Sequence, residues 1–203
     1  NITFMLPTGC TTSTEVSINP LPLAITGSTA ICQGAAATMA DATSGGTWTS
    51  TTPSVATIGS SSGAVAGLSA GTTVFSYTLS TGCARTMVFS VNPLPSTLSG
   101  TLSVCAGNTT ALGNTISGGS WISGSTSVAT IGVGSGVVNG VAAGTSSITY
   151  TLPTGCRRIG VVSVNPVPAG ITGSNLACVG ATNTLSNATT SGTWISGNTT
   201  LAT

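Results

Sequence analysis

The chain contains no histidine and no lysine, and it carries almost no charge. Its charged side chains are Glu15, Asp41, Arg85, Arg157 and Arg158, 2% of 203 residues, against about 25% in an ordinary soluble domain. Proton transfer in catalysis draws on histidine or paired carboxylates, and a single Glu and a single Asp fall short of that. Ser–His–Asp and Cys–His sites have no base. Without histidine, and without a Cys-x-x-Cys pair, a zinc site is not expected. Two acids cannot supply repeated calcium sites. Three arginines and a formal net charge of +1 make no basic face for nucleic acid. No enzyme, no cofactor and no nucleic-acid partner is therefore expected.

Long apolar runs are also missing. The mean hydropathy is +0.49, yet no stretch approaches the roughly 18 apolar residues that cross a bilayer as a helix. Aromatics are 4% of the chain, too few for the girdles of an outer-membrane barrel. No membrane insertion is expected. Asn1-Ile2-Thr3 does not read as the charged n-region of a signal peptide.

What is present is small and hydroxylated: 39 Thr, 29 Ser and 28 Gly. It is also periodic. Asn19-Pro20-Leu21-Pro22 returns as Asn92-Pro93-Leu94-Pro95 and as Asn165-Pro166-Val167-Pro168, each 73 residues on. Trp48, Trp121 and Trp194 keep the same step, as do Cys10, Cys83 and Cys156, and Cys32, Cys105 and Cys178. Tyr77 returns as Tyr150, with Phe4 in the same phase. Such a period points to a tandem array. It divides the chain into 1–18, the last two strands of a preceding unit; 19–91 and 92–164, two whole units; and 165–203, the first part of a further unit. The ends are out of phase with the period. A segment of a longer chain is the first reading, and a broken unit completed tail to head by another copy is the second.

Within 19–91 short alternating runs are separated by Gly, Ser and Pro, a strand pattern. Strands are expected at 23–32, 36–42, 46–50, 54–59, 64–68, 72–79 and 83–91, with Thr81-Gly82-Cys83 as a hairpin turn. Seven short strands per unit fit an all-β sandwich. Trp48, Trp121, Trp194, Tyr77 and Tyr150 are expected in the core. One tryptophan per unit leaves a stacked ligand without a second ring. The proline pairs Pro20/Pro22, Pro93/Pro95 and Pro166/Pro168 read as stiff joints where strand pairing stops, which would make the array an extended rod.

The string from Trp48 through Val55-Ala56-Thr57-Ile58, then Gly63-Ala-Val-Ala-Gly67 and Ala70-Gly71-Thr72, resembles the bacterial immunoglobulin-like domain of group 2. It recurs from Trp121 to Thr145 and begins again at Trp194. With the added cysteines, the units are similar to those of very long surface repeat proteins of Bacteroidetes-type bacteria. The resemblance covers the whole chain and implies Ig-like repeats in an adhesin, stalk or surface filament, secreted to the cell surface, in many cases by the type IX route. It implies no catalytic residue.

Six cysteines in an exported chain suggest disulfides. In an Ig-like sandwich whose termini lie at opposite poles, Cys32 sits at the first turn and Cys83 at the last hairpin, a strand length of roughly 25 Å apart. A disulfide needs Cα atoms within about 7 Å. The geometry favours Cys32 with Cys156 of the next unit, and Cys32 with Cys83 is the alternative. Cys10, Cys83, Cys105 and Cys178 would then pair with cysteines outside the 203 residues.

Asn-x-Ser/Thr sequons at Asn1, Asn108, Asn187 and Asn198 are expected by chance in so hydroxyl-rich a chain, and Arg157-Arg158 reads as a solvated turn. The expected role is a non-catalytic extracellular stalk or filament segment. Its partners would be neighbouring repeats or other copies of itself, lateral or head to tail. The alternative is a carbohydrate- or surface-binding adhesin module, with surface glycans as partner.

Overall fold

The computed structural model describes residues 1–201; Ala202 and Thr203, the last two of the expected 165–203 segment, lie outside the described residues. Every regular element among the described residues is a strand. The chain divides into two compact units, residues 1–96 with 151–158, and 97–150 with 159–203.

The first unit opens with β1 (Ile2–Met5) and β2 (Thr11–Thr14), an antiparallel hairpin that pairs Phe4 with Thr12. There follow β3 (Ala30–Cys32), β4 (Ala36–Thr38), β5 (Thr47–Ser50), β6 (Ala56–Ile58), β7 (Ala64–Gly67), β8 (Gly71–Thr78) and β9 (Ala84–Asn92). They form two sheets, ordered β3-β9-β8-β5 and β4-β7-β6. β8 alternates along its length as a half-buried strand must, with Thr73, Phe75 and Tyr77 inward. β9 turns Phe89 and Val91 inward and leaves Val88 outside. The core is Met39, Trp48, Ala56, Val65, Phe75, Tyr77, Phe89 and Val91, with Ile25, Ile31 and Val55 packed against it.

Three details depart from expectation, the first being that the strand expected at 36–42 spans only Ala36–Thr38. The stretch expected at 23–32 pairs only over Ala30–Cys32, plus an isolated bridge from Thr26 to Ala40. Gly27, at φ 128°, breaks the extension between them. Pro22 is fully buried, so the second proline of the pair is packed into its unit, and its carbonyl accepts the Arg85 side chain.

The second unit contains β10 (Ser99–Gly100), β11 (Ser103–Cys105), β12 (Thr109–Gly113), β13 (Ser120–Ser123), β14 (Ala129–Ile131), β15 (Val137–Gly140), and most of β16 (Gly144–Thr151) and β17 (Arg157–Asn165). The sheet orders are β11-β17-β16-β13 and β10-β12-β15-β14. The strands β11 to β17 occupy the phases of β3 to β9, 73 residues on. Beyond Asn165 the only pairing among the described residues is the bridge from Thr172 to Ser186.

Candidate functional site

Three arrangements, the first two recurring at the same phase, use up most of the chemistry the chain has. The first is aromatic. Trp48 on β5 lies opposite Tyr77 on β8, with ring centroids 4.8 Å apart. The Tyr77 hydroxyl donates to the Thr43 carbonyl at 2.6 Å and accepts from the Gly46 N–H at 2.9 Å. Any side chain at Gly46 would run into the Tyr77 ring. Trp121 and Tyr150 repeat this at 4.6 Å, with the hydroxyl donating to Ile116 and accepting from Gly119. Both pairs are buried and hydrogen-bonded within the protein, so neither presents a face on which a sugar could stack. Trp194, expected in the core, is instead 57% exposed. The sheet neighbours that bury Trp48 are β8 and its tyrosine, and no strand takes their place around 165–201.

The second arrangement is a buried hydroxyl cluster that the sequence reading missed. Thr73 is 3% exposed. Its hydroxyl accepts from the Thr52 N–H at 2.9 Å and shares hydrogen bonds with Ser50 and Thr51. Ser50 in turn donates to the Ala56 carbonyl. In the second unit Ser146 accepts from the Ser125 N–H and pairs with Ser123, which donates to Ala129. These side chains tie the turn after β5, and that after β13, to the neighbouring strand. The signal was available: hydroxyl residues hold positions 50 and 123, and 73 and 146, in step.

The third is sulfur. Cys32 and Cys156 form a disulfide, Cα atoms 5.6 Å apart, across 124 residues of sequence. Cys156 is buried at the turn of the segment 151–158, which clusters with the first unit. The pairing of β3 alongside β9 explains why Cys83 is not the partner. Cys32 is level with Asn92 at the far end of β9, whereas Cys83 precedes the start of that strand, roughly 30 Å away at about 3.3 Å per residue. Cys83 is half-buried and contacts the Asn19 carbonyl at 3.6 Å. Cys10, Cys105 and Cys178 are exposed thiols.

Two of the three arginines are absorbed structurally. Arg85 reaches the Pro22 carbonyl through Nε and Nη2, both at 3.3 Å, and Arg158 reaches the Pro95 carbonyl at 3.2 Å. Arg157 is exposed. Asp41 Oδ1 accepts from the Thr43 N–H, and its Oδ2 is buried with no hydrogen-bond partner. Among the described residues no three His, Cys, Asp or Glu side chains converge as metal ligands.

No protein-family model and no curated protein matches the chain in sequence. Solved structures do match in fold. The chain is similar to the C-terminal 282-residue fragment of intimin, solved in complex with the intimin-binding domain of the translocated intimin receptor. The TM-score is 0.51 at 15% identity, over 76% of this chain and 67% of that one. It is also similar to surface layer protein SbsC, domains 1–6, with a TM-score of 0.27 at 21% identity, over 68% of this chain and 24% of that one. For SbsC domains 4 and 5 the TM-score is 0.26 at 21% identity, over 81% and 79%. The fold is all-β and Ig-like, built of sandwiches.

Proposed function

We propose that these residues are a non-catalytic, extracellular structural segment of tandem Ig-like repeats, in the stalk or filament of a bacterial surface protein. The observation that carries this reading is where the functional groups went. In both repeats the tryptophan, the tyrosine, the buried hydroxyls and one arginine hold the sandwich together, and among the described residues no three His, Cys, Asp or Glu side chains converge. The disulfide supports an oxidising, extracellular setting. The group 2 Ig-like string and the 73-residue period support a repeat array with units at 19–91 and 92–164. The intimin fragment was solved bound to its receptor, but that likeness reaches only the fold, and an adhesive reading would need a binding face of its own. The test is a glycan array probed with the 203-residue chain. The expected result is no saturable binding; a saturable ligand would replace the structural reading with the adhesive one.

A further inference from the structure

Two strand pairs run parallel. β3 lies alongside β9, Ala30 beside Ser90 and Cys32 beside Asn92. β11 lies alongside β17, Ser103 beside Ser163 and Cys105 beside Asn165. The hairpin partners β8 and β9 are antiparallel, Gly71 beside Val91 and Thr78 beside Ala84. The direction decides how a pull is resisted. The chain enters β3 at Ala30 and leaves β9 at Asn92, at opposite ends of their shared ladder. Tension on the segments before residue 30 and after residue 92 therefore slides the two strands past each other. Their hydrogen bonds run across the strands and have to give way together. In an antiparallel pair loaded from one end, the bonds give way one at a time.

Both parallel ladders are closed at their ends. Ser90 donates its N–H to the Thr29 carbonyl at 3.0 Å and Gln33 to the Asn92 carbonyl at 2.9 Å. Ser163 donates to Leu102 and Ala106 to Asn165, both at 2.9 Å. The Asn165 side-chain amide adds a bond to the Ser103 hydroxyl at 2.9 Å. The inner faces are covered. Val91, Val104 and Val164 are buried. A Cβ at Gly67, on β7, would fall 2.9 Å from the Ile31 side chain and 3.3 Å from Val91. One at Gly140, on β15, would fall 2.9 Å from the Cys105 carbonyl oxygen and 3.1 Å from Val164. Water, which would otherwise take up each bond as it breaks, is kept off that side.

The disulfide changes which strands lie in the line of tension. Cys32 is the last residue of β3, and Cys156 precedes the first residue of β17. With the bridge closed, the covalent path from any point before Cys32 to any point after Cys156 runs through sulfur and omits residues 33–155. β9 and β11 lie in the omitted stretch. Each parallel pair then has one strand in the path and one outside it, so neither pair is sheared. With the bridge open, the path returns to the backbone and all four strands are in it.

We propose that β3–β9 and β11–β17 are shear clamps held in reserve behind the Cys32–Cys156 bridge. Closed, the bridge carries the tension; opened by a thiol or phosphine reductant, it passes the tension to the clamps. The inference deepens the structural reading and rests on it, since only a segment under tension has a use for such a device.

The test pulls the whole chain by its two ends at constant force, oxidised and then reduced. Tris(2-carboxyethyl)phosphine with water supplies two electrons and two protons, giving two thiols and the phosphine oxide. The oxidised chain is expected to show no step from residues 33–155. The reduced chain is expected to hold and then open in two discrete steps, one for each sandwich. Asn165→Ala, which removes the bond to Ser103, shortens the lifetime of one step about fivefold and leaves the other. Ser90→Pro, which deletes the N–H given to Thr29, shortens the other at least about tenfold. Gly63→Ala, at the turn between β6 and β7 outside both clamps, changes neither lifetime by more than about twofold. Gradual opening of the reduced chain, or a Gly63→Ala loss as large as those of the clamp variants, overturns the inference. A step within 33–155 while the bridge is closed does the same. None of these bears on the glycan array, by which the structural reading itself stands or falls.

Discussion

Asp41 is the residue at which the first unit is least well served. Its counterparts are asparagines. Asn114 Oδ1 accepts from the Ile116 N–H, and Asn187 Oδ1 accepts from Thr189 while its amide donates to the Ala169 carbonyl. Ala169 is at the phase of Leu23, so an amide at position 41 has a carbonyl to serve where the carboxylate has only a buried, unpartnered oxygen. Asp41→Asn is expected to stabilise the chain by about 1 kcal/mol, read as a rise in the urea midpoint at unchanged slope. Thr73 is the opposite case. Thr73→Val strands the Thr52 N–H and is expected to cost about 1–3 kcal/mol. Thr73→Ser, which copies Ser146, is expected to cost less than about 1 kcal/mol, and a larger loss for Thr73→Ser than for Thr73→Val would show that the methyl rather than the hydroxyl matters.

At the scale of the element, the turn between β6 and β7 depends on Gly63. Its φ is 65°, and a Cβ there would strike the Met39 carbonyl oxygen; Gly136 has the same φ region and meets Leu112. Gly63→Ala is expected to cost at least about 2 kcal/mol, because strain and collision add. Gly82, at φ 86° in the hairpin between β8 and β9, has open space around it, and Gly82→Ala is expected to cost about 1 kcal/mol, strain alone. Chemical denaturation of the two variants side by side separates these terms. The strands themselves were legible from alternation and turn residues, and β5, β7, β8 and β9 fall within a residue or so of expectation. The first strand was read too long, because its β-branched run hides the break at Gly27. The hydroxyl clusters escaped notice because 68 Ser and Thr residues leave two buried ones with nothing to mark them. Trp194 was misplaced because burial of this tryptophan depends on its neighbour in the same sheet, the strand at the phase of β8, which is not present around 165–201, a requirement that no local pattern contains.

For the whole molecule, the long disulfide and the scarcity of charge set the behaviour. The chain-entropy account gives about 5 kcal/mol for closing a loop of this size, so Cys32→Ala with Cys156→Ala is expected to lower stability by several kcal/mol, measured by thermal unfolding. Pulled from its two ends with the bridge intact, the chain cannot extend the loop between Cys32 and Cys156; reduction is expected to release about 420 Å of contour at about 3.4 Å per residue over a separation of 124 residues. A single-molecule trace with no such gain would argue against the bridge. With five charges in 203 residues, the melting temperature is expected to move little between about 50 mM and about 500 mM sodium chloride, since there are few ionic interactions to screen.

The same bridge bears on damage. A protease that cuts one peptide bond anywhere between Cys32 and Cys156 divides the backbone but not the molecule, because the two pieces stay joined through sulfur. More than half of the chain is protected in this way from release by a single nick.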